Sequence, residues 1–294
     1  MVQAIWIALI ILAVGYAFIL FRDFIKHKDK LEDCSWVKTS LIGFGVNFFD
    51  VLGIGAFAPQ TALLKFTKQT EDRVIPGTMN VANTIPVLLQ AIIFIKVIEV
   101  DALTLVSMLV AATAGAVIGA GIVSKLPERK IQITMGIALI VIAFFMFAGK
   151  MGWIQGGGDA IGLSGIKLIL AVVINFILGA LMTAGVGLYT PCMALVFALG
   201  MSPKVAFPIM MGSCAFLMPP ASAKFIKEGA YNRKAAIGMA IPGAIGTLIA
   251  AFVVKSLPLD VLRWIVIVVV IYTSVVMLRS AAKNKAKAKD TISA

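Results

Sequence analysis

The sequence predicts an all-α polytopic membrane protein, a transmembrane helical bundle made of two internal repeats. The repeats are expected to be inverted, each holding a glycine-broken re-entrant helical hairpin, with one extra helix ahead of the first. Three observations lead there. The chain is 61% hydrophobic and only 14% charged, with a mean hydropathy of +1.02, which leaves too little polar material to cover a soluble globule of this size. Its apolar runs reach the roughly 20 residues needed to cross a bilayer. Two of those runs are interrupted in the same way, by a Gly-x-Gly pair followed four residues later by proline.

The interruptions are copies of one another. Gly53, Gly55 and Pro59 fall on Gly185, Gly187 and Pro191 at an offset of 132, as do Pro76 on Pro208 and Met79 on Met211. After a one-residue gap, Phe94-Ile95-Lys96 falls on Phe225-Ile226-Lys227. The chain therefore divides into an N-terminal signal-anchor helix and loop (1–35), a first repeat (36–150), a glycine-rich linker (151–165), a second repeat (166–279) and a basic tail (280–294).

In order, Ile5 to Phe21 is an unbroken apolar run followed by Arg22, Lys26, Lys28 and Lys30. Positive charge after the run, rather than before it, predicts a retained anchor with its N-terminus outside. The first repeat opens with the broken element Trp36 to Lys65, followed by spans over Val74–Ile98, Leu103–Val123 and Ile131–Ala148. In the linker, Gly156-Gly157-Gly158 follows no strand and ends on no Lys-Ser/Thr, so it is slack rather than a phosphate loop. The second repeat has the broken element Ile166 to Leu199, then spans over Val205–Ala223, Ala235–Val254 and Val261–Leu278. The lysines of 283–289 are a solvated basic end.

Orientation turns on whether each broken element crosses once or returns. If both return, the repeats are inverted and the loops carry 20 Lys and Arg inside against 6 outside; if both cross, the split is 17 against 9. Positive charge favours the cytoplasmic side, so the count favours inversion. Length agrees, because Trp36 to Lys65 is too long for one span and too short for two. Two short half-helices meeting at the glycines near the midplane are expected in each copy. The protein is thus predicted to sit in the cell (inner) membrane as a multi-pass protein, with its C-terminus cytoplasmic.

A helix restarting inside the membrane presents unpaired N–H groups and a partial positive charge, which suits an anion. Two restarts converging where repeats meet is a transporter arrangement. The candidate substrate-binding residues are therefore Asn47, Gly53, Gly55 and Gln60 from the first hairpin, and Asn80 and Asn83 from the following span. Thr183, Gly185, Gly187, Tyr189 and Thr190 come from the second hairpin, and Ser213 from the span after it. Any one buried carboxamide or hydroxyl could instead serve interhelical hydrogen bonding alone. Asp50 is the sharpest single signal, since a carboxylate within a span costs enough that coupling to an ion, with protons as the candidate, is its usual task. Its repeat counterpart is Met182. The alternative is a shallower Asp50, hydrated from the cytoplasm and paired with Lys65.

Other chemistries find little support. Three cysteines (Cys34, Cys192, Cys214) and one histidine (His27) offer neither a disulfide framework nor metal-ligand spacing. No nucleophile and base are set together for catalysis, so the chain is not expected to be an enzyme, and no cofactor is implied. The net charge of +12 lies in short loops and the tail, as topology signals do, which argues against nucleic acid. The expected partners are the lipid bilayer and a small anionic substrate, with oligomerisation left open. The small-residue faces Ala111-Ala112-Ala114-Gly115-Gly119 and Gly238-Ala240-Gly243-Gly246 predict close helix packing. A channel remains the main alternative to a carrier.

These halves, each opening with the Gly-x-Gly break and proline and carrying a Gly-Ala-x-x-Gly-type helix (Gly115 to Gly119, and more weakly Gly243 to Gly246), resemble the sulfite exporter TauE/SafE family of membrane permeases. The resemblance covers Ser40 to Leu278. It implies a secondary transporter, an exporter, of sulfur oxyanions, organosulfonates or small carboxylates, with the glycine breaks facing the substrate. Ala56 and Leu188 stand where the family often has a third glycine, so the resemblance does not name the anion.

Overall fold

The structure, a computed structural model, describes residues 2–51, 55–95, 100–153, 158–185, 187–253 and 259–292. Among them are eleven α-helices and no named strand. They are α1 (Val2–Lys26), α2 (Trp36–Val51), α3 (Phe57–Thr67), α4 (Ile75–Phe94), α5 (Ala102–Val123) and α6 (Glu128–Lys150), then α7 (Gly165–Thr183), α8 (Tyr189–Ala198), α9 (Pro203–Lys227), α10 (Arg233–Val253) and α11 (Leu259–Ile292). By length and composition eight of these can cross a membrane: α1, α4, α5, α6, α7, α9, α10 and α11. Their outward positions, such as Ile11 and Val14 of α1 and Ile169 and Val173 of α7, are exposed apolar side chains suited to lipid.

Both broken elements return to the face they leave. The backbone N–H of Ser35, just before α2, donates to Gln69 Oε1 at 2.9 Å, just after α3. Asn232, on the loop before α10, donates to the Gln69 carbonyl at 3.3 Å, so the loops at 35, 69 and 232 share one face. This face carries Lys26, Lys68, Lys227 and Lys234 and is called the basic face below. On the opposite face Lys167 Nζ, in the first turn of α7, reaches the Leu199 carbonyl after α8 at 3.2 Å. That face also holds Trp6, whose indole N–H donates to the Ile95 carbonyl at 2.7 Å, and Asp101, whose N–H donates to the Ile161 carbonyl. The first hairpin opens on one face and the second on the other, so the repeats are inverted. The expectation of two short half-helices needs correction. Each hairpin joins a long limb, α2 with 16 residues or α7 with 19, to a short one, α3 with 11 or α8 with 10.

Packing exchanges between the repeats. The long limb α2 lies along α10 and α7 lies along α5, so each hairpin leans on the fourth helix of the other repeat. Glycines make this approach, because a Cβ on Gly43 would strike the Met239 backbone and one on Gly246 the Phe44 carbonyl. In the mirror pair, a Cβ on Gly115 would strike the Phe176 carbonyl and one on Gly179 that of Ala112. The small-residue faces are therefore helix contacts, as in other membrane bundles. Helices α4 and α9 cross at the centre, and α6 packs on α11.

Helix α1 stands outside the repeat and is tied down at both ends. Its inner stripe Leu9, Tyr16 and Leu20 is buried at helical spacing, with Tyr16 Oη donating to the Val81 carbonyl at 2.7 Å. On the basic face Asp23 accepts from Arg233 Nε at 2.9 Å and from Tyr231 Oη at 2.6 Å. Burial, then the bond to Asp23, pushes the Tyr231 phenol well above its ordinary range. Cys34 lies 3.9 Å from Asn232 Oδ1, and burial pushes its thiol up.

Candidate functional site

The short limbs restart without caps. Pro59 and Pro191 each occupy the third position of their helix, where the missing N–H removes no intrahelical bond. The first backbone bonds run from Gln60 N–H to the Ala56 carbonyl and from Cys192 N–H to the Leu188 carbonyl. The N-cap residues are Ala56 and Leu188, with no side-chain cap, where a helix in water favours Ser, Thr, Asp or Asn. Neither N-cap residue thus caps its own helix, and each restart carries the positive end of the helix dipole.

Both restarts open on one cavity of about 50 Å³. The first break contributes Asp50 and residues 55–58, and the second Met182 and residues 187–189. Val87, Ile142, Met146 and Cys214 close the walls. At roughly 10–15 Å³ per water, the space holds about four waters, the scale of a small anion. No Lys, Arg, His or Glu is among the described lining residues.

Asp50 lies fourteen residues into α2, about 21 Å from the basic face at 1.5 Å per residue. It is 6% exposed. Gln90 Nε2 donates to Asp50 Oδ2 at 2.6 Å, and the Ala56 backbone also hydrogen-bonds the carboxylate. The other end of the Gln90 amide, Oε1, accepts from Tyr189 Oη at 3.4 Å. Lys65 pairs with Asp72 on the basic face instead, so the shallow, Lys65-paired Asp50 is not what forms. The repeat is asymmetric here: Asp50 faces the cavity opposite its counterpart Met182, and Phe57 opposite its counterpart Tyr189.

Of the residues singled out in the sequence, Asp50, Gly55, Gly187 and Tyr189 line this cavity. Asn47, Asn83 and Gln60 form a chain of their own beside it, Asn47 Nδ2 to Asn83 Oδ1 at 3.0 Å and Asn83 Nδ2 to Gln60 Oε1 at 2.5 Å. Asn80 Nδ2 bonds the Pro76 carbonyl at 2.9 Å and the Thr183 carbonyl at 3.4 Å. Thr183 Oγ1 turns back to the Ala180 carbonyl, and Ser213 Oγ accepts from Asn175. Five of these six buried side chains tie helices together, while the Thr183 hydroxyl bonds within α7. Gly55 (φ +86°) and Gly185 (φ +98°) hold left-handed backbone that favours glycine, whereas Gly187 does not. Gly53 lies outside the described residues, as does the side chain of Thr190.

Gln90 was missed by sequence reasoning. It is a lone carboxamide in an apolar stretch, beyond the polar run 80–84 and without a motif. The signal available was its place on α4, fifteen residues in, at the depth that Asp50 reaches on α2. Cys214 forms part of the cavity wall.

A search of the curated proteins and of the solved structures finds no match to the chain. The family described as Sulfite exporter TauE/SafE matches residues 2–146 and 167–293, two segments that together leave out little beyond the linker. With a multi-pass helical architecture, two inverted repeats and nearly the whole length matched, the chain belongs to the sulfite exporter TauE/SafE family of membrane transporters.

Proposed function

We propose that this transporter moves a small sulfur oxyanion, held between the two helix restarts, with a proton on Asp50 as the coupling ion. One observation carries the reading: two helix N-termini, neither capped by its own N-cap side chain, open on a single cavity where Asp50 is the one carboxylate among the described lining residues. Each N-terminus is worth up to about 2 kcal/mol to a partly buried anion, and each charge-assisted hydrogen bond about 1.5–3 kcal/mol. Those gains must offset a desolvation cost of several kcal/mol per ion. An ionised Asp50 would add like-charge repulsion, and it also occupies the Ala56 backbone at the first restart. A neutral Asp50 removes the repulsion and frees that end, so anion and proton favour each other's binding. The small volume supports a compact oxyanion over a longer organosulfonate or carboxylate.

The basic face is assigned to the cytoplasm by the positive-inside rule, with the start of α1 outside and the end of α11 inside. Export is the direction the family description supports. The test is flux of labelled sulfite, thiosulfate and a short organosulfonate in proteoliposomes, with and without a pH gradient, for the parent and Asp50→Asn. Gradient-driven flux that disappears in Asp50→Asn is expected. Flux indifferent to both the gradient and the substitution would make the protein a uniporter or channel.

A further inference from the structure

The Gln90 amide bridges the two hairpin tips, which belong to different repeats. It holds Asp50 of the first at 2.6 Å and touches Tyr189 of the second at 3.4 Å. The orientation follows from donor chemistry: an ionised carboxylate only accepts, so the amide NH₂ must face Asp50, which turns the amide oxygen toward the tyrosine hydroxyl. The two contacts are unequal. At 2.6 Å the bond to Asp50 is short, whereas 3.4 Å is long for an O–H to oxygen bond, so the hydroxyl is held loosely.

We propose that Gln90 is a positioning residue that converts protonation of Asp50 into a hydrogen-bond donor for the anion at Tyr189. This rests on the proton-coupled reading above. When Asp50 takes up a proton from solvent, its new O–H needs an acceptor, and the NH₂ facing it cannot supply one. Rotation of the amide by half a turn brings Oε1 to the acid and Nε2 to Tyr189. The tyrosine oxygen then accepts from Nε2, and its own O–H is released toward the cavity that it lines. No covalent bond other than the Asp50 O–H changes. The groups facing Asp50, among the described residues, are Gln90 from α4, the Ala56 backbone beside α3, Tyr189 from α8 and Cys214 from α9. Among the described residues lining the cavity, the titratable ones are Asp50, Tyr189 and Cys214. The chain supplies this residue set once, because the counterparts of Asp50 and Tyr189 are Met182 and Phe57.

The experiment is thiosulfate binding to the purified full-length protein in detergent, followed by calorimetry at neutral and mildly acidic pH. Thiosulfate keeps its charge over that range, so a change in affinity belongs to the protein. The parent is expected to bind roughly tenfold or more tightly at the lower pH, the scale of one hydrogen bond to a charged group. Gln90→Met should still bind, keeping the part of the acid gain that comes from neutralising Asp50 and losing the part that the released Tyr189 hydroxyl supplies. Tyr189→Phe, which leaves the Asp50–Gln90 bond in place, should lose the same part of the acid gain, and the double variant should lose no more than either. A Gln90→Met or Tyr189→Phe protein with the parent's full pH dependence overturns the switch. A parent that binds equally at both pH values also overturns it while leaving the anion site standing, and a parent that binds no thiosulfate removes the site and the switch together.

Discussion

Lys167 Nζ meets the Leu199 carbonyl at 3.2 Å, which brings the first turn of α7 to the end of α8 across 32 residues of sequence. The second hairpin therefore enters and leaves on one face. Cysteines placed singly at Lys167 and Leu199 should both react with a membrane-impermeant maleimide from the outside of right-side-out vesicles. Cysteines at Lys38 and Lys68 should react only after the vesicles are inverted. Labelling of Lys167→Cys and Leu199→Cys from opposite sides would mean that α8 crosses rather than returns.

The helix contacts between repeats have no room for a methyl group. Gly43→Ala and Gly179→Ala each place a Cβ against the backbone of the neighbouring helix. Overpacking of this kind costs about 1–3 kcal/mol. Both variants should melt at lower temperature in detergent than the parent, while Gly45→Ala, with open space at its Cβ, should not.

The two tips should respond differently to alanine. Gly55 sits at φ +86°, where a side chain costs about 1–2 kcal/mol, so Gly55→Ala should lower stability as well as flux. Gly187 has ordinary backbone and open space toward the cavity. Gly187→Ala should fold with the parent's melting temperature and weaken anion binding by filling part of a space of about 50 Å³.

At the start of α5, Asp101 accepts from the Thr104 backbone N–H at 2.8 Å, and that bond holds its carboxyl below the ordinary carboxylate value. A depressed folded-state pKa contributes stability above the unfolded value, and the contribution is lost as pH falls through the folded one. The melting-temperature difference between the parent and Asp101→Ala should therefore be present at neutral pH and shrink on acidification. A difference that grows in acid would contradict the cap.

The architecture was legible because its causes repeat. The duplicated Gly-x-Gly and proline and the lopsided lysine count both follow from insertion and backbone geometry, which local sequence records. The site was legible only in part, because whether a buried carboxamide faces a cavity or a neighbour depends on what stands opposite. Asn47, Asn83 and Gln60 find one another across α2, α4 and α3, so they bind helices together. Asn175 shows the same limit: at the repeat offset it corresponds to Gly43, while Asn47 corresponds to Gly179. Each long limb thus has one glycine for close approach and one asparagine four residues away, in swapped order. Asn175 reaches the Met108 carbonyl at 2.8 Å, in the groove where Gly179 meets Ala112.

Because α2 finds its groove on α10, and α7 finds its own on α5, neither half of the molecule contains a finished surface for its own hairpin. During synthesis the first hairpin leaves the ribosome long before α10 exists, so its glycine-lined flank must wait, facing lipid, until the second half is inserted. A single half made alone would be stable only by borrowing the missing helix from a second copy lying upside down beside it.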